Sequence, residues 1–119
     1  MVHNINREMA ERMLAPMPDP CAVYSEEDWA KIRSFASDML AGRWIWRRPR
    51  GNSIVISRNG YLLDGHYRMW AVILADRQCP GFRQLMVVET RPICMEDDIS
   101  WQPLSSCLED HLQKGAKLV

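Results

Sequence analysis

No stretch of this chain approaches the roughly twenty consecutive apolar residues that a membrane-spanning helix needs, so a transmembrane protein is not expected. No basic, apolar and small-residue pattern of a secretory leader follows Met1, and the cytoplasm is the expected location. No charge of one sign prevails either. Fifteen Lys and Arg balance fifteen Asp and Glu, so no global field draws the chain to nucleic acid or to a membrane surface. There is no Cys-x-x-Cys pair. The four cysteines, Cys21, Cys79, Cys94 and Cys107, are scattered and lack a histidine at zinc-ligand spacing, which argues against a metal site and for reduced thiols. Cys79, beside Pro80-Gly81, is expected on a turn and exposed. A Walker-type phosphate loop and a clear carboxylate pair are also missing, which favours a binding role over vigorous catalysis.

What is present suits one α+β domain. With 119 residues and 47% hydrophobic content, the chain can bury a core without metal or disulfide support. Residues 1–14 place Ile5, Met9, Met13 and Leu14 near one face of a helix. Pro16, Pro18 and Pro20 then act as a stiff connector, so residues 1–24 are read as a helix and proline-rich lead into a domain over residues 25–119. Ser25 followed by Glu26, Glu27 and Asp28 is a strong helix start. This helix is expected to run to about Ala41, to stop at Gly42, and to bury Trp29, Ile32, Phe35, Ala36, Met39 and Leu40. Residues 53–57 and 61–63 flank Arg58-Asn59-Gly60 as two strands about a tight turn. A further strand is expected over residues 85–89, and a C-terminal helix near residues 104–114 carrying Leu104, Leu108 and Leu112. The sum is a small mixed sheet with helices packed on it.

Two segments carry candidate chemistry. In Leu62-Leu63-Asp64-Gly65-His66-Tyr67-Arg68-Met69-Trp70-Ala71 a short apolar strand breaks at Asp-Gly and continues at once into an apolar helix. A helix opening at Gly65 leaves its first amides unpaired and adds partial positive charge, a setting that suits phosphate. Arg68 adds a forked donor. Gly65 admits a ligand close to the backbone, and His66 can serve as acid or base near neutral pH. The blander readings make Asp64 a helix cap, His66 a hydrogen-bonded surface residue, and Arg68 the ion-pair partner of Asp64 or Glu89. The second segment, residues 43–50, alternates basic and aromatic side chains. Arg43, Trp44, Trp46, Arg47, Arg48 and Arg50 suit either single-stranded nucleic acid or a protein interface, although solvated arginines on a strand edge explain them as well.

The strand, turn, strand and glycine-led helix of residues 54–71 resemble the nucleotide-binding core shared by ParB-type partition proteins, sulfiredoxins, free-serine kinases and phage proteins with an Asp-Gly-Gln-His-Arg signature. Met39-Leu40-Ala41-Gly42-Arg43-Trp44 resembles the helix end before that core in the phage-type members. The resemblance covers about two thirds of the chain, and its specific part is residues 64–68. It implies the ParB N-terminal or sulfiredoxin fold and a nucleoside phosphate ligand (ATP, ADP or CTP) with magnesium. The ligand residues would be Gly65, His66, Tyr67 and Arg68, with Asp64 and His66 catalytic in any nucleotide hydrolase or phosphotransferase. Sulfiredoxins carry their catalytic cysteine where this chain has His66, so peroxiredoxin repair is not implied. The phage-type Gln-His is replaced by His66-Tyr67, which displaces the histidine by one position. ParB proteins continue into a second arginine-rich motif and a helix-turn-helix domain, for which the roughly fifty residues after Arg68 leave too little room. The alternative is a small phage-encoded protein that regulates a host protein complex through its surface, with nucleic acid a less favoured partner.

Overall fold

A computed structural model describes residues 2–15, 17, 20–44 and 53–93. The chain runs β1 (Val2–Asn6), α1 (Arg7–Leu14), a four-residue helical turn α2 (Pro20–Val23), α3 (Glu26–Leu40), β2 (Ser53–Ile56), β3 (Leu62–Asp64), α4 (His66–Gln78) and β4 (Arg83–Thr90). The four strands form one mixed sheet in the order β1-β4-β2-β3. β4 pairs antiparallel with β1 and parallel with β2, and β2 pairs antiparallel with β3. The fold is the small α+β arrangement expected from the sequence.

The helix expected over residues 1–14 begins only at Arg7. Val2–Asn6 is instead an edge strand in register with residues 83–87. The change of state falls at Asn6, whose side chain accepts a bond from the Met9 amide and caps α1. Ile5 is fully buried. It shares one core with Ala10, Leu14 and Met86, so this first segment belongs to the sheet and its packing.

Where α3 starts, Ser25 and Asp28 bond reciprocally: the Ser25 hydroxyl accepts from the Asp28 amide, and Asp28 Oδ2 accepts from the Ser25 amide. Its apolar stripe buries Trp29, Ile32, Ala36 and Met39, with Phe35 and Leu40 half-buried beside them. Gly42 follows its end at φ +73°. α4 is buried through seven consecutive residues, Met69 to Ala75, because it packs against α1 and α3 as well as the sheet. Burying each of its Ile or Leu side chains is worth about 1.5–3 kcal/mol, so this helix is held firmly. In the β2–β3 turn the buried Ser57 hydroxyl donates to Asn59 and accepts from the Tyr61 amide, while Gly60 takes φ +89°. Among the described residues no helix is long and apolar enough to cross a membrane. The C-terminal helix expected near residues 104–114 lies outside the described residues, as do Cys94 and Cys107.

Candidate functional site

The predicted strand-to-helix junction forms. Two pairs in the β2–β3 ladder, Ile56 with Leu62 and Val55 with Asp64, show that β3 carries one extra residue just before Asp64. Such a bulge twists a strand and re-aims its end. Gly65 follows at φ +106°, the left-handed side of backbone space, and α4 opens at His66. Among the described residues no side chain caps this helix, and its first turn holds no acid, whereas α1 and α3 have both. Asp64 is therefore not the cap, and its carboxylate stays exposed at the helix mouth.

That mouth opens into a cavity of about 750 Å³ whose lining includes Asp64, Gly65, His66, Tyr67 and Arg68. Three different environments act on three neighbouring side chains. His66 is half-buried, and burial lowers its pKa below 6.5 against the opposing pull of Asp64, so the neutral imidazole prevails near pH 7. Arg68 is half-buried as well. Its Nη1 donates to the Ser53 carbonyl at 2.7 Å, which anchors the guanidinium to β2. Of the two ion-pair partners expected for it, Glu89 pairs with Arg91 at 3.4 Å instead, and Asp64 acts on the guanidinium through space. The Tyr67 hydroxyl donates to Asp28 Oδ1, and this bond is the largest cause of the lowered Asp28 pKa.

The rest of the lining comes from residues that the motif does not contain. Tyr24 stacks edge-on against Tyr67 at 5.4 Å and Trp29 at 5.7 Å, and Trp29 against Trp70 at 6.2 Å. Burial pushes the Tyr24 phenol up to about 12, so it remains a neutral wall at any working pH. The same cavity is lined by Phe35 and Trp44, whose rings meet edge-on at 5.3 Å. Among the described residues the buried Trp44 Nε1 has no acceptor. Lys31 also belongs to the lining, as do the apolar Met17, Pro20 and Val23. Its ammonium lies 5.7 Å from the centre of the Tyr67 ring. Sequence reasoning missed Lys31, Phe35 and Tyr24 as site residues. Asp28, Lys31 and Phe35 are spaced i, i+3 and i+7 on α3, and that shared helical face was the signal available.

The basic and aromatic segment is divided. Arg43 is exposed and bonds Asp38 at 3.2 Å, Trp44 turns to the cavity, and both lie in irregular chain after α3. Trp46, Arg47, Arg48 and Arg50 lie outside the described residues. Among the described residues no three His, Cys, Asp or Glu side chains gather as a metal site, and Cys79 is a free, exposed thiol just after α4. Comparisons with protein-family models, curated proteins and solved structures found no match.

Proposed function

We propose that this chain is a nucleotide-binding domain of the ParB and sulfiredoxin-like kind, of phage or mobile-element type, working in the cytoplasm. The observation that carries the reading is that one cavity joins the uncapped first turn of α4, bearing Arg68, to a wall built from Phe35 and Trp44. A ligand matched to it has an anion at one end and a flat ring at the other. The α4 amides and the Arg68 guanidinium suit phosphate oxygens, and edge-on aromatic pairs suit a base. Asp64 is a single carboxylate at the mouth, so magnesium would arrive on the phosphates and share Asp64 with them. When bound it would supply charge neutralisation for phosphoryl chemistry. Neutral His66 beside exposed Asp64 provides a proton acceptor for a hydrolase or phosphotransferase step.

A thermal-shift screen against ATP, ADP, CTP and GTP, with and without magnesium, tests the reading. A ligand at a hundred times its dissociation constant adds about 2.7 kcal/mol of stability. Arg68→Ala should weaken that ligand by about 1.5–3 kcal/mol in calorimetry, and should also lower the melting temperature because the Ser53 carbonyl loses its donor. Absence of any shift with all four nucleotides would refute the proposal.

A further inference from the structure

We infer that Lys31, on α3, is the second anion contact of this cavity and sets the direction in which a nucleotide lies; the inference rests on the nucleotide reading above. The basic groups around the cavity are not equally available. Burial keeps His66 towards its neutral form, and Arg68 has one arm committed to the Ser53 carbonyl. Lys31 is exposed; its charge acts through space on the Asp28 carboxylate, but among the described residues no carboxylate lies within 4 Å of its ammonium, which leaves it open to a direct anion contact. Its ammonium rests over the Tyr67 ring, a hold that a phosphate can replace because ring and anion attract the same charge.

The placement of that ammonium is built rather than incidental. Tyr67 is pinned by its bond to Asp28, and Asp28 is itself fixed by the Ser25 cap of α3. Lys31 therefore stands beside the α4 mouth, three residues along α3 from Asp28. One further turn along the same helix face is Phe35, in contact with Trp44. Read along α3, the cavity passes from cation to aromatic pair. A nucleotide fits with its phosphate between Lys31 and the first turn of α4, and its base towards Phe35 and Trp44. Recognition thus depends on α3 as well as on residues 64–68.

Calorimetric titrations of the full chain with AMP, ATP and CTP, each beside its bare nucleoside, test this. Lys31→Gln should weaken the phosphorylated ligand about tenfold or more, leave the nucleoside unchanged and flatten the salt dependence, while Lys31→Arg should restore most of the affinity. The position is exposed, so an unchanged thermal melt confirms that the variant folds. Full nucleotide affinity in Lys31→Gln, combined with its loss in Arg68→Ala, would overturn the role of Lys31 and leave the nucleotide reading standing. Equal weakening of nucleotide and nucleoside would also overturn it, since Lys31 would then serve the ring. No binding of any of the three nucleotides to the wild-type chain would overturn both.

Discussion

The hydroxyl of Tyr67, in the first turn of α4, donates to the carboxylate of Asp28, in the first turn of α3. Asp28 thereby serves two helices: Oδ2 receives the Ser25 amide and Oδ1 receives the phenol. The wall of the cavity is set by this bond. Tyr67→Phe should let the Asp28 pKa rise back towards its ordinary 3.8, which carboxyl NMR titration reads directly. The sign follows from linkage. A lowered carboxylate pKa contributes stability that is present above the unfolded value and is lost as pH falls through the folded one. Wild type and Tyr67→Phe should accordingly differ in urea midpoint near neutrality and converge in acid; a constant gap at every pH would contradict the assignment.

His66 is shifted in the same direction by a different cause. Burial lowers its folded pKa below 6.5, so protonation disfavours the folded state. Its contribution is fully present above 6.5 and declines as pH falls through the folded pKa. His66→Gln should flatten that part of the stability profile. A wild-type slope that survives in the variant would assign the effect to another group.

Gly65 should resist substitution for a backbone reason. A Cβ there would meet Ile54 Cγ1 at 3.4 Å, which is tolerable, but at φ +106° an L side chain is strained. Gly65→Ala should cost about 1–3 kcal/mol in urea denaturation. A neutral result would mean that the junction relaxes to negative φ.

Ile5→Ala tests whether the N-terminal strand belongs to the domain. Ile5 is fully buried against the common core, so truncation should cost about 2–5 kcal/mol. A detachable arm would show almost no change in the main unfolding transition.

Asp64→Asn and His66→Ala separate the two function classes. For a nucleotide enzyme they should remove turnover while the fold persists, since Asp64 is exposed and His66 only half-buried. Charge reversal at Arg47 and Arg48 should leave that turnover intact. If reversal instead abolishes capture of a partner protein while Asp64→Asn and His66→Ala are silent, the surface-interaction alternative prevails.

Local chemistry by itself determined much of this protein. The Ser25 to Asp28 cap, the stop at Gly42, the Asn59-Gly60 turn and the strand break at Asp64-Gly65 were all legible, because each depends on residues within a few positions of one another. The apolar run after Arg68 likewise announced a buried helix. Residues 2–6 were not legible as a strand. Ile5, Met9 and Met13 recur at a helical spacing by coincidence, and five residues of β1 become a strand only because β4, some eighty positions later, offers the matching ladder. The site divides in the same way. Which residues could hold an anion was written in residues 64–68, whereas the cavity they face was decided by packing: α3 lies against α4, and that contact brings Asp28 and Lys31 to Tyr67 and places Phe35 in the same cavity. The carboxylate that binds the Tyr67 phenol is 39 positions away in the chain. Short-range capping and turn preferences act before the chain folds, but such a bond exists only after the apolar faces of two helices have met and excluded water.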